Sequence, residues 1–172
     1  MKISLTPEIA FSKLQGEIMS YEDEKKTTKR VLAAVPDSGA EYRPDPVSRT
    51  AMSLAFHIAY VEVWFLKGIA AGEFGPEKEE LPPEVTKPSD LPAWYERETN
   101  AALEGVRKMT PEQAAKVVDF YGMFQMSAVM YMNFLNNHSV HHRGQLSVYL
   151  RPMGAKVPAI YGPSADEPMM TA

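Results

Sequence analysis

A chain of 172 residues can fill one hydrophobic core and is short for two, so residues 1–172 are read as a single domain. Hydrophobic residues at 45%, charged residues at 23% and a net charge of -4 are ordinary for a globular protein, and no Lys/Arg stripe with interleaved aromatics offers nucleic acid a footing. The absence of cysteine excludes disulfides, thiolate metal sites and a cysteine nucleophile, so any thiol chemistry must use an external thiol.

The N-terminal MKISLTPEIAFSK has no apolar run of signal-peptide length, and the most apolar segment of the chain is interrupted by Glu62 and Lys67. The expectation is a cytoplasmic protein with no membrane partner. Thr6-Pro7-Glu8 supplies a capping hydroxyl, a proline preset for the first helical position and an acid against the positive end of the dipole, so a first helix begins there. Phe11, Leu14, Ile18, Tyr21, Lys25, Thr28, Leu32 and Val35 then recur at spacings of three and four, with Lys25 and Thr28 as polar interruptions, until Pro36-Asp37-Ser38-Gly39 ends the run.

A second helix, from about Ser48 to Ala71, carries Leu54, His57, Ile58, Val61, Phe65 and Ile69 at helical spacing and ends near Gly72. Residues 73–88 are rich in Pro and Glu, lack periodicity and read as a surface connection long enough for a crossover. Ser89 or Asp90 caps a third helix, with Trp94 or Tyr95, Ala102, Val106 and Met109 turned inward. Thr110-Pro111-Glu112-Gln113 starts a short turn, and residues 116–124 fit a short strand or a hairpin. A fourth long helix runs from about Ser127 to Leu150 and stops at Arg151-Pro152-Met153-Gly154. Val157, Ile160 and Tyr161 of the tail are placed to dock, and the last few residues are expected to be loose. The fold class is therefore all-α, a four-helix bundle with a long connection between helices two and three.

Three of the four histidines lie between Asn137 and Leu146 on the fourth helix. At about 100° per residue, His138 and His142 differ by about 40° and one turn, a spacing that lets both imidazoles converge on one ion. His141 lies within about 60° of His138, so angle alone leaves two pairs open. The line Tyr131, Leu135, His138, His142, Leu146, Tyr149 is mostly apolar and reads as inward, whereas the line of His141 takes in Asn137, Gly144 and Gln145 and reads as nearer the margin. His57, on the inward stripe of helix two, is the remaining histidine and the natural third ligand. Three neutral imidazoles suit Zn or Ni first, then Fe, Mn or Co, rather than Mg or Ca, and three protein ligands leave a position open. Neither HExxH nor the ExxH of a carboxylate di-iron bundle is present.

Around these residues, Gln145 is placed equally well to touch a metal-bound group or to lie on the helix surface. Arg143 reads as exposed, Gly144 as a close approach of a neighbouring helix, and Met123, Met126, Met130 and Met132 as packing. Trp64 and Tyr60 read as core.

A helix-two histidine, then HxxxH followed by RGQ, then YLRPMGAKVPAIYGPSADE, resembles the DinB/YfiT-like superfamily of metal-binding four-helix bundles over nearly the whole chain. The resemblance implies that His57, His138 and His142 hold a divalent transition metal, with His141 a bystander or an outer partner, in a homodimer. Some members of that superfamily are metal-dependent transferases that use low-molecular-weight thiols, including mycothiol-dependent maleylpyruvate isomerase and bacillithiol transferases. The expected function is thus activation of a small thiol or water toward a small-molecule substrate, as a transferase or hydrolase with no separate catalytic residue named. The alternative is a non-catalytic metal-binding or stress-response protein acting through assembly or sensing.

Overall fold

The computed structural model describes residues 2–168. Their elements are β1 (Lys2–Ile3), α1 (Pro7–Ala33), α2 (Ala51–Ala71), α3 (Leu91–Arg107), α4 (Pro111–Ala115), β2 (Val117–Phe120), β3 (Phe124–Ser127) and α5 (Met130–Leu150), with single 3-10 turns at 37–39, 88–90 and 151–153. The four long helices pack on one another: α2 lies against α3 and α5, and α1 against both α3 and α5. The expected looseness at the extreme C-terminus concerns residues outside those described.

The helix starts follow the local chemistry. Thr6 caps α1 by accepting from Ile9 N, Thr50 caps α2 by accepting from Ser53 N, and Thr110 and Gln113 cap α4 reciprocally. Gly72 closes α2 with φ of 70°, a conformation that only glycine adopts freely. By length and apolarity α2 could cross a membrane, yet 72% of its most apolar window is buried inside the protein, as befits a core helix. The cap expected of Ser89 or Asp90 is absent from α3: Asp90 accepts from Thr86 N and Lys87 N, and Ser89 binds Asp37, so both fasten the preceding turn.

The all-α expectation needs correction, because the molecule is mostly helical with a small sheet. Residues 116–124 contribute to a hairpin of β2 against antiparallel β3, and β1 joins β3 in parallel, giving the order β1-β3-β2. The turn places Tyr121 at φ 51° and Gly122 at φ 73°. Pairing of Phe124–Ser127 with β2 delays the start of α5 to Met130. Ser127 fixes this corner, its hydroxyl accepting from Leu5 N at 2.9 Å and donating to Ala115 O at 3.0 Å. A two-residue strand such as β1 shows no alternation in sequence.

Candidate metal centre

His57 projects from the second turn of α2, and His138 and His142 project from successive turns of α5, which packs against it. One ring nitrogen from each lies within 4.8 Å of the others, a separation that a single ion can bridge. The ring centroids stand 5.2 Å apart for His57 and His138, 4.8 Å for His57 and His142, and 4.3 Å for His138 and His142. His141 is exposed, and its ring lies beside that of His142, with ring centroids 4.8 Å apart. The rotation of α5 follows the apolar line, since Tyr131, Leu135, Leu146 and Tyr149 are buried while Asn137, Gly144 and Gln145 are exposed.

The surroundings favour the neutral form of His138 and of His142. Burial, reinforced by the neighbouring histidines, pushes the His138 imidazole down to about 3. Burial also holds His142 below the usual range, against the opposing hydrogen bond to Gln145. Nδ1 of His142 meets Oε1 of Gln145 at 2.6 Å, and Nδ1 of His57 meets Oε2 of Glu79 at 2.9 Å. When these nitrogens donate, the second nitrogen of each ring keeps its lone pair for an ion. Nδ1 of His138 is buried with no hydrogen-bond partner among the described residues. Three clustered imidazoles, each with a ring nitrogen turned toward the other two, fit a divalent transition metal by the chemistry of their donors.

Two walls differ in character. On one side Phe65 faces His138 at a centroid distance of 6.4 Å and packs on Phe134 at 5.5 Å, an apolar wall. On the other a cavity of about 230 Å³, lined by Ser48, Arg49, Leu54, His142, Gln145 and Tyr149, opens beside His142. A larger hollow of about 500 Å³ between α1 and α5 contains none of the histidines.

Several neighbours depart from the sequence-based expectations. Arg143, expected at the surface, is 1% exposed: Nη1 donates to Glu24 O, and Nη2 reaches the Glu24 carboxylate and the Tyr161 hydroxyl. Gly144 is exposed, and a Cβ there would meet nothing within 4 Å, so no neighbouring helix demands it. Met126 and Met132 pack in the core, but Met123 is exposed on the hairpin. Gln145 holds the ring of His142 from the helix surface.

Sequence reasoning also missed two acidic groups. Glu62, 1% exposed, accepts hydrogen bonds from Tyr21, Thr28 and Tyr95, and burial pushes its carboxyl upward. Its signal was the line Ile58, Glu62, Phe65, Ile69, all buried at helical spacing. Glu79, in the connection, has no periodic pattern to reveal it.

The model of the DinB family matches residues 12–170. The uncharacterized protein YrdA of Bacillus subtilis is 26% identical over 158 residues, covering 91% of this chain and 93% of its own. YjoA of the same organism is 26% identical over 132 residues, covering 76% of this chain and 84% of its own. The crystal structure of YjoA, a DinB-like protein, superposes with a TM-score of 0.69 at 24% identity over 83% of this chain and 96% of that one. A DinB-like protein of Bacillus cereus gives 0.73 at 26% identity over 86% and 97%.

Proposed function

The chain belongs to the DinB family, and from that premise we propose that it is a four-helix-bundle metalloprotein whose His57, His138 and His142 hold one divalent transition metal and activate a low-molecular-weight thiol or water. The observation that carries this reading is the convergence of three imidazole nitrogens within 4.8 Å beside a cavity that reaches His142. A bound ion supplies a Lewis acid that lowers the pKa of a thiol or water beside it. The protein's own residues do the rest. His138 stays neutral because burial opposes its proton, so it offers a lone pair at every ordinary pH. Gln145 holds the His142 ring at Nδ1, and Phe65 and Phe134 line the far side with apolar rings. The cavity lined by Arg49, Gln145 and Tyr149 is the path by which a small electrophile reaches the site. A thiol S-transferase-like reaction with Zn or Ni fits this layout, in a homodimer as the resemblance implies.

Metal analysis of the purified protein, followed by absorption spectroscopy of its cobalt form with and without small thiols, tests the proposal. The expected result is one ion per chain and a cobalt spectrum that changes when thiol is added. Replacing His57, His138 or His142 by Ala is expected to cost orders of magnitude in affinity, and His141→Ala at most about 10–100-fold. Stoichiometry near zero with both Zn and Ni overturns the metal centre. A cobalt spectrum indifferent to thiols and with no exchangeable water favours the non-catalytic alternative.

A further inference from the structure

We infer that Glu79 is a positioning residue for the metal centre: carried by the connection between α2 and α3, it fixes the His57 ring in the orientation that binds metal. The inference rests on the metal-centre reading above. Glu79 lies 22 residues from His57, and its Oε2 faces Nδ1 of that ring at 2.9 Å. An imidazole nitrogen that donates to a carboxylate leaves the other nitrogen unprotonated and more basic, and it stops the ring from turning.

The carboxylate is itself held. Arg49, immediately before the α2 cap, donates from Nη1 to Oε1 at 2.7 Å and from Nη2 to Oε2 at 3.4 Å. Next to it, Lys78 N donates to the Tyr60 hydroxyl of α2 at 2.8 Å, which pins the connection where Glu79 needs to be. The Glu79 side chain is only 19% exposed. Long connections with little regular structure are uncommon in compact domains unless they serve a function, and this one brings Glu79 to His57.

An oxygen of Glu77 also comes within 4.8 Å of ligand atoms of His57 and Glu79, forming an acidic grouping that shares His57 with the three-histidine cluster. The two groupings compete for one ring. With Nδ1 engaged by Glu79, the free nitrogen of His57 serves His138 and His142, so the carboxylate acts by orientation and not as a ligand.

If docking of Glu79 favours metal binding, metal binding must favour docking by the same factor. Competition titration of zinc into the full chain, together with amide hydrogen exchange over residues 73–88, reads both directions. Glu79→Ala is expected to weaken zinc binding by about 10–100-fold and to abolish the protection that zinc confers on the connection. Glu79→Gln keeps an oxygen that can accept from Nδ1 and is expected to retain more affinity than Glu79→Ala. Glu84→Ala cuts the same connection's tie to Arg97 of α3, a 2.9 Å bridge away from the histidines, and is expected to bind as wild type does. Glu79→Ala within about threefold of wild type, or Glu84→Ala weakened equally, overturns the inference while leaving the histidine site standing. Failure of the wild-type chain to take up zinc overturns both.

Discussion

Arg143→Met tests a buried charge in the protein's interior, 1% exposed. The substitution keeps a straight apolar stem and deletes the guanidinium, whose Nη1 donates to Glu24 O at 2.9 Å and Thr28 Oγ1 at 3.4 Å and whose Nη2 donates to Tyr161 Oη at 2.6 Å and to the Glu24 carboxylate. Removing one member of a buried ion pair costs about 3–5 kcal/mol, chiefly because its partner is left without compensation. Glu24 is not wholly stranded: its side chain is 22% exposed, and the Tyr161 hydroxyl donates to it at 2.8 Å. The lower figure, about 3 kcal/mol, therefore applies. An unfolding entropy of about 2.1 cal/mol/K per residue over 172 residues gives about 0.36 kcal/mol/K, so the melting temperature should fall by about 8 °C.

Thermal denaturation of the metal-free protein at pH 7, followed by circular dichroism, measures this directly. Arg151→Met is the control, because Arg151 is 57% exposed and its 3.1 Å bridge to Asp166 is a surface one. Such a pair contributes at most about 1 kcal/mol, or about 3 °C here. Melting of Arg143→Met within about 2 °C of wild type would refute the claim that the buried guanidinium holds α5 in place.

Acid should destabilise the metal-free protein through the same histidines that would bind metal. With His138 pushed down to about 3 in the folded chain, the unfolded chain binds the extra proton between about pH 6.5 and pH 3, so stability falls as pH drops through that window and is level above it. His142, also lowered, acts in the same direction, and His138→Ala should flatten the slope in denaturant titrations across this range. A wild-type slope of zero there would show that burial does not hold these rings neutral. Chelation of the metal-loaded protein should leave the far-UV helical signal largely intact, because the apolar faces of the helices already form a continuous core. Metal present at a hundred times its dissociation constant stabilises by about 2.7 kcal/mol, so chelation should lower the melting temperature by about 7 °C. Loss of most helix on chelation would mark the ion as structural.

The features legible in sequence were those that depend on local chemistry or on the period of one helix. Thr6-Pro7-Glu8 announces α1 because a cap, a preset φ and a dipole all act within one turn. His138 and His142 could be paired because both sit on the line of Leu135 and Leu146, each fully buried. The connection from 73 to 88 was opaque because Glu79 finds His57 only through tertiary closure, which no periodicity encodes. The charged interior was opaque for another reason. One inward line, Tyr131 to Tyr149, was read for α5, but the helix is buried along two adjacent lines, the second running through Ser139, Arg143, Leu146 and Leu150. On a surface-minded prior, an arginine beside that stripe goes outside.

That second line changes what the histidine spacing means. An HxxxH pair specifies a face of a helix but not where that face points, and a rotation of about 100° would offer His141 in place of His142. The apolar side chains on the first line resist such a rotation only through packing, which neighbouring rotamers can partly accommodate. Arg143 resists it through directed hydrogen bonds: its guanidinium must reach Glu24 and Thr28 on α1 and Tyr161 in the tail, and no other side of α5 allows that. Arg143 follows His142 by one residue, so the turn that buries it beside α1 also presents His138 and His142 to His57 on α2. The residue after the second histidine thus selects which pair of imidazoles meets the third.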